Sequence, residues 1–171
     1  MRINVALGGL VLTAIGVSLS NPAPVHAQST LGTVSGGAAL VKTLSNRDSA
    51  WLIGGSAELV TGRLGLGAEV DYVYFPESSK TLEGGRGTTS TPATGTSGVT
   101  VRASHYFGEY PAGRTRPFIS GGVSVLGAGD FGMLLIAGGV DVWTSARTGI
   151  RLEVREQFPI MLAFRCGVVF R

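Results

Sequence analysis

One histidine is the best candidate for acid–base chemistry in this sequence. His105 is the only histidine after position 26, and nucleophilic catalysis needs a serine, a histidine and an acid within hydrogen-bond reach of one another. Ser104 precedes His105, but neighbouring side chains on a strand point to opposite faces; Ser124 and Glu109 are the residues that could approach it. The alternation of the sequence puts His105 on an apolar face near a strand end, where an imidazole needs no catalytic role. We therefore predict that the chain is not an enzyme and has no catalytic residue.

The sequence offers no pattern for a metal or phosphate site. Cys166 is the only cysteine, so the chain lacks the cluster of Cys and His side chains that zinc requires. The glycines of "LEGGRG" at 82–87 lack the Gly-Lys-Ser/Thr ending of a phosphate-binding loop. We predict no cofactor and no metal, and we interpret Cys166 as a small apolar residue.

A nine-residue stretch, "TGIRLEVRE" at 148–156, alternates apolar and charged side chains. Successive side chains of an extended strand point to opposite faces. The apolar side chains are Ile150, Leu152 and Val154, and the charged ones are Arg151, Glu153 and Arg155. The environment of the chain depends on which of these two faces meets water.

Residues 1–27 have the pattern of a cleaved secretory signal peptide. Arg2 gives a positive start, "VALGGLVLTAIGV" at 5–17 forms an apolar core, and "VHA" places small residues before Gln28. The alternative is a single membrane anchor, but the apolar run is shorter than the roughly 18–20 residues that a spanning helix needs. We expect one exported domain, residues 28–171.

The composition restricts the class of this domain. The sequence has 27 glycines, 44 % hydrophobic residues and 15 % charged residues, and "MLLIAGGV" at 133–140 is too short to span a membrane as a helix. The basic residues are scattered, which argues against a nucleic-acid partner. The domain is therefore either a soluble all-β protein or a β-barrel in an outer membrane, because only helices and closed barrels satisfy every backbone polar group in lipid.

Period-two alternation and turn signals predict eight strands. They lie at 32–41, 50–60, 63–75, 98–107, 117–126, 131–143, 147–157 and 161–170. The connections "TGR" at 61–63 and "TSAR" at 144–147 are tight, whereas the stretch from 76 to 97 is long and rich in Gly, Ser and Thr. We interpret the low-complexity part, 78–98, as a mobile outer loop.

Strand parity separates a charged face from an apolar face. The charged face carries five acids and four arginines: Glu58, Glu69, Asp71, Asp141, Glu153, Arg102, Arg151, Arg155 and Arg165. It is otherwise rich in small residues, and the two lysines, Lys42 and Lys80, fall in predicted connections. Balanced charges among small residues suit the narrow interior of an eight-stranded barrel, where pairing offsets their desolvation. We therefore predict a transmembrane barrel with these nine residues in its lumen and the apolar face toward lipid.

A soluble barrel with an apolar interior and a charged exterior is the alternative. The aromatic residues favour the membrane interpretation, because transmembrane barrels carry aromatic girdles at both interfaces. Trp51 begins one predicted strand and Tyr74 ends the next, at the expected outer interface. Phe107 and Phe170 end strands at the expected inner interface.

Three segments resemble a known family. The stretches "RPFISGGVSVLGAGD", "GGVDVWTSARTGIRLEVRE" and the final "CGVVFR" resemble the superfamily of small eight-stranded outer-membrane β-barrels, which includes the transmembrane domain of outer-membrane protein A. The resemblance covers residues 98–171 and is strongest in the penultimate hairpin. It implies that Arg151, Glu153 and Arg155 face the lumen. Members usually end in an aromatic residue that the barrel-assembly machinery reads, whereas Phe170 is penultimate here.

Fold alone does not assign a role, so three functions remain open. The chain is expected to be a plugged barrel with a structural or surface-interaction role, in which residues 76–97 contact a surface partner. A narrow channel or transporter for small solutes and a soluble periplasmic ligand-binding barrel are the alternatives. The expected partners are outer-membrane lipid and, during biogenesis, the assembly machinery.

Overall fold

The computed structural model describes residues 28–42, 47–81, 88–108, 114–127, 131–159 and 161–171. Ten strands run through these ranges: β1 (Gln28–Lys42), β2 (Arg47–Thr61), β3 (Leu64–Phe75), β4 (Ser78–Thr81), β5 (Thr88–Thr91), β6 (Thr94–Tyr106), β7 (Thr115–Leu126), β8 (Phe131–Trp143), β9 (Thr148–Phe158) and β10 (Met161–Phe170). Within the same ranges the chain forms no helix long and apolar enough to cross a membrane. The proposed signal peptide, 1–27, lies outside the described residues and stays a prediction.

Eight of these strands close into one antiparallel barrel, which confirms the predicted fold class. Each strand pairs with its neighbours in the order β1, β2, β3, β6, β7, β8, β9 and β10, and β10 pairs back onto β1. We follow the paired residues around the barrel from Leu40 of β1, first to Leu162 of β10 and last from Leu59 of β2. The path returns to β1 at Thr30, so the strands are staggered by ten residues over one circuit. This stagger tilts the strands and fixes the width of the interior.

The two ends of the barrel differ in their connections. The end that holds Gln28 and Phe170, which we call the terminal end, has two short turns; Gly62, with φ of +60°, occupies one of them. The opposite end, which we call the distal end, carries the β4–β5 hairpin. Glycine suits the position at 62 because a positive φ is costly for residues with a Cβ.

The interpretation of residues 78–98 as a loop is wrong in part. β4 and β5 form a two-stranded hairpin, with Ser78 opposite Thr91, and β6 begins at Thr94 instead of 98. Phe75 pairs with Thr94, so the ladder between β3 and β6 continues to the base of the hairpin. Threonine favours extended backbone because of its β-branch, and ladder hydrogen bonds need no apolar face.

The predicted placement of the two lysines in connections is also wrong. Lys42 belongs to β1 and Lys80 to β4.

Outward and inward residues alternate strictly along the barrel strands. In β9 the side chains of Ile150, Leu152 and Val154 are 43 %, 47 % and 45 % exposed, while the charged residues between them are buried. Large apolar side chains cover the exterior of all eight barrel strands. Among the outward-facing barrel residues whose side chains are described, Glu156 is the only Asp, Glu, Lys or Arg. The barrel therefore has its apolar surface outside and its charged surface inside.

Substitution of Leu152 tests this orientation. If Leu152 faces hydrocarbon, Leu152→Arg should lower the free energy of unfolding by roughly 2–4 kcal/mol, as for charged residues on barrel exteriors. Leu152→Ala should cost much less, because lipid fills the space. Urea unfolding of the protein in lipid vesicles measures both changes. A loss of about 2–5 kcal/mol for Leu152→Ala, the cost of a core cavity, would contradict the outward placement.

Candidate functional site: the charged interior of the barrel

The barrel interior, where its side chains are described, contains as many arginines as acids. The structure buries the nine charged residues expected in the lumen: Glu58, Glu69, Asp71, Arg102, Asp141, Arg151, Glu153, Arg155 and Arg165. It also buries Arg116, which the sequence reasoning missed because the fifth predicted strand began at 117. β7 begins at Thr115, and the alternation of Arg116, Phe118 and Ser120 along one face was the signal that could have identified it. Among the described side chains, the interior thus holds five acids and five arginines.

Arg155 is the centre of the distal group of charges. Its Nη2 atom donates to both carboxylate oxygens of Glu69, at 2.7 and 2.8 Å, and to Oε1 of Glu153 at 2.7 Å. Its Nη1 atom donates to Oδ2 of Asp71 at 3.1 Å. One guanidinium on β9 therefore joins two acids of β3, on the far side of the lumen, to a third acid on its own strand.

Two further arginines complete the distal group. Arg165 of β10 donates to Glu69, to Oδ1 of Asp71 at 3.0 Å and to the hydroxyl of Ser35. Arg102 of β6 donates to Oε2 of Glu153 at 2.7 Å, and its Nη1 lies 3.6 Å from Oε2 of Glu69. Three arginines thus balance three acids. Each acid contacts more than one arginine, so removal of one member leaves several buried charges without full compensation.

A second group of charges lies toward the terminal end. Arg151 donates to both oxygens of Asp141, from Nε at 2.6 Å and from Nη2 at 2.8 Å, which is the bidentate geometry of strong Arg–carboxylate pairs. Tyr106 donates its hydroxyl to Oε2 of Glu58 at 2.7 Å and accepts from Arg151 at 3.0 Å. The guanidinium of Arg116 lies 4.0 Å from the centre of the Tyr106 ring, and its Nη2 donates to the carbonyl of Gly62.

Inward-facing glycines leave the space that the ion pairs occupy. A Cβ on Gly54 would overlap Oδ1 of Asp71, and a Cβ on Gly65 would overlap Oε1 of Glu58. Both positions are directly opposite or adjacent to a charged residue in a lumen that eight strands make narrow. The abundance of glycine in the sequence is therefore partly a steric requirement of the charged interior.

Apolar clusters border the charges at both ends of the lumen. At the distal end the buried cluster is Ala39, Val41, Ala50, Leu52, Val73, Met161 and Ala163. At the terminal end it is Leu31, Val60, Tyr106, Phe118, Trp143 and Val169. Between them lies a cavity of about 10 Å³, which is room for roughly one water. The charged residues are thus removed from solvent on both sides.

The aromatic residues expected at the interfaces all face outward. Trp51 and Tyr74 are register partners at the distal end, 61 % and 41 % exposed. Phe107 and Phe170 lie at the terminal end, 49 % and 44 % exposed. Their positions, at two levels on the exterior, are those that an aromatic girdle requires.

The structure does not bring the candidate catalytic side chains together. His105 faces outward beside the ring of Phe107, at 5.1 Å between ring centres. Ser104 and Ser124 are buried inside the barrel, where each bonds another hydroxyl, Ser104 with Ser120 and Ser124 with Thr100. Glu109 lies outside the described residues. Cys166 is exposed on the exterior and has a free thiol.

Comparison with known proteins identifies the fold. No protein-family model and no curated protein sequence matches the chain. Among solved structures, the chain is similar to the N-terminal β-barrel domain of Pseudomonas aeruginosa OprF, with 16 % identity, a TM-score of 0.54, and 85 % of this chain and 98 % of that chain covered. It is also similar to neisserial surface protein A, NspA, with 13 % identity, a TM-score of 0.55 and coverages of 85 % and 99 %.

A de novo designed transmembrane β-barrel is similar to the same extent, with 11 % identity, a TM-score of 0.56 and coverages of 85 % and 97 %. Similarity at these identities establishes the architecture. The resemblance to small eight-stranded outer-membrane barrels, drawn from the sequence, is confirmed at the level of the fold.

Removal of one charge from the distal group should be far more damaging than removal of one from the exterior. Glu69 is 2 % exposed and accepts from Arg155 and Arg165, so Glu69→Gln should lower the free energy of unfolding by about 3–5 kcal/mol, the cost of breaking a buried pair. Glu156→Gln, the same change on the exterior, should fall within about 0.5 kcal/mol of wild type or stabilise. Equal effects in urea titrations would contradict the pairing described here.

Proposed function

We propose that this protein is an outer-membrane β-barrel with a plugged, charge-paired lumen and a structural or surface-interaction role. The observation that carries the proposal is the inversion of the usual protein pattern, with apolar side chains covering the exterior and charged side chains buried inside. A soluble barrel would expose this apolar band to water, whereas a bilayer solvates it. The similarity of fold to OprF, NspA and a designed transmembrane barrel supports the same placement.

The contents of the lumen support a closed barrel in preference to a channel. Each charge group contains direct hydrogen bonds between strands that are not neighbours, from Arg155 to Glu69 and Asp71 of β3 and from Arg151 to Tyr106 of β6. Apolar side chains pack on either side of them. A hydrated ion passing through would have to displace both apolar clusters and break several paired charges, which is costly in a desolvated interior. Conductance through the barrel, as expected of a narrow channel, would therefore refute the proposal.

The interaction role is assigned to the distal end. The β4–β5 hairpin continues beyond the barrel, and its described side chains are mostly exposed and hydroxylic, among them Ser79, Ser90 and Thr91. We propose that residues 76–97 contact a partner at the cell surface, that residues 1–27 direct export through the secretory pathway, and that the barrel-assembly machinery inserts the chain. The expectation that the chain is not an enzyme stays a prediction.

Cell fractionation and gel mobility test the proposed location. The protein should be recovered with the outer membrane, because its apolar exterior needs lipid, and an unheated sample in detergent gels should migrate differently from a boiled one, because a closed barrel resists detergent until heated. Recovery of most of the protein in a salt-washed soluble periplasmic fraction would refute the membrane assignment.

Planar-bilayer recording tests the plug. Purified protein should give at most small and rare channel events, because the charged groups and apolar clusters fill the lumen. A variant that lacks residues 78–91 should be equally silent, since the block lies in the lumen and not in the hairpin. Steady currents of porin size from the full chain would overturn the closed-lumen proposal, and currents that arise only after the deletion would assign the block to the hairpin.

A further inference from the structure

Exposed arginines surround the barrel at its terminal end. Each of them adjoins the first or last residue of a barrel strand, and all four side chains are exposed. They are Arg63 before β3, Arg114 before β7, Arg147 before β9 and Arg171 after β10. We call these four residues the arginine ring.

The strand order distributes the arginine ring around the whole circumference. Neighbouring strands of the barrel meet at eight junctions, and the arginines lie at every second one: β2–β3, β6–β7, β8–β9 and β10–β1. Backbone hydrogen bonds to the next strand fix these places. The carbonyl of Arg63 accepts from the amide of Tyr106 at 2.8 Å, and the carbonyl of Arg147 accepts from the amide of Arg171 at 2.9 Å.

The two ends of the barrel differ in charge. The exposed acids of the described residues, Glu77 and Glu156, both lie toward the distal end. In the sequence, Glu109 is the one acid in the connections of the terminal end, whereas residues 76–93 at the distal end contain two acids and two bases. The terminal end is therefore the positive one.

The arginine ring borders the apolar exterior directly. Leu64, which follows Arg63, is 65 % exposed, and Phe170, which precedes Arg171, is 44 % exposed. A strand rises only about 3.3 Å per residue, so an arginine one residue beyond the apolar band can extend its guanidinium group into the headgroup region. In a bilayer that covers this band, the arginines lie at the level of the lipid phosphates.

We propose that the arginine ring binds the phosphate groups of anionic phospholipid in the leaflet at the terminal end. The planar guanidinium group donates two parallel hydrogen bonds to phosphate oxygens, and each Lys or Arg near an anionic membrane surface favours binding about fivefold. The distribution of the ring favours lipid over a protein partner, because lipid surrounds a barrel on every side whereas a protein docks on one side. The inference rests on the membrane placement of the proposed function.

Urea unfolding in vesicles of two compositions tests the proposal. One set contains phosphatidylcholine alone, and in the other set part of it is replaced by phosphatidylglycerol with the same acyl chains. At low ionic strength the midpoint should be higher with phosphatidylglycerol, and added salt should reduce the difference. Equal midpoints would overturn the lipid preference and leave the membrane placement intact, because the barrel is folded in both kinds of vesicle.

Two double variants with the same loss of charge separate the ring from net charge. Arg63→Gln with Arg147→Gln removes half of the ring and should reduce the gain in folding equilibrium from phosphatidylglycerol about 25-fold, or fivefold for each arginine. Lys42→Gln with Arg47→Gln is the matched control, at register partners of the distal end. This control changes the charge of the folded and unfolded chain by the same amount, so the gain should persist. Equal losses in the two double variants would mean an effect of net charge and would overturn the proposal.

Mass spectrometry of the intact protein with its retained lipids gives a readout that does not depend on unfolding. From an equal mixture of the two lipids in detergent, the wild-type protein and the distal control should retain mainly phosphatidylglycerol. The Arg63→Gln, Arg147→Gln variant should retain fewer molecules of it. Equal retention of both lipids by the wild-type protein would overturn the proposal.

Discussion

The constraint on which the rest of the structure depends is the fit of charged side chains, ten of them among the described residues, into the interior of a narrow barrel. Eight strands with a ten-residue stagger fix the width of the lumen. In a lumen of this width, a charged side chain has room only where the inward-facing residue beside it is small. Gly54 and Gly65 occupy such positions, against Asp71 and Glu58. Arginines and acids are also equal in number among the described residues, which limits the number of buried charges that lack a partner.

The exterior and the interior of the barrel place opposite requirements on their side chains, because their surroundings differ. In the proposed membrane placement, outward side chains such as Ile150 and Leu152 contact lipid, which is as apolar as they are, so their exact shapes matter little. Inside, packing and hydrogen bonding are specific, as in the bidentate contact of Arg151 with Asp141. Stability measured by substitution should therefore be concentrated in the lumen, and the results for Leu152→Ala and Glu69→Gln should differ for this reason.

The sequence allowed the fold to be predicted because charge marks strand parity. In β9 three charges showed which side chains share a face, and the same logic extended to Glu69 and Asp71; the small residues and balanced charges of that face then favoured an inward orientation over the soluble alternative. Parity could not show which arginine meets which acid, because the contacts of Arg155 with β3 depend on closure of the barrel. Parity also missed Arg116, because the predicted strand began at Pro117. It missed the hairpin of β4 and β5 as well, because a polar two-stranded ladder has no hydrophobic period to detect.

The charged interior has a consequence for register that an apolar interior would lack. A slip of one residue in any strand exchanges its two faces, so a slipped β9 would place Arg151, Glu153 and Arg155 in lipid and their apolar neighbours in the lumen. Each such charge near the midplane costs roughly 2–4 kcal/mol, and the acids of β3 would lose their partners at the same time. Slips by two residues keep the faces but move Arg155 away from Glu69 and Asp71. A buried ion pair is weak evidence for added stability. In this barrel the ion pairs instead make the native register far more favourable than registers shifted by one or two residues. The pairing of β10 with β1 that closes the barrel depends on this native register.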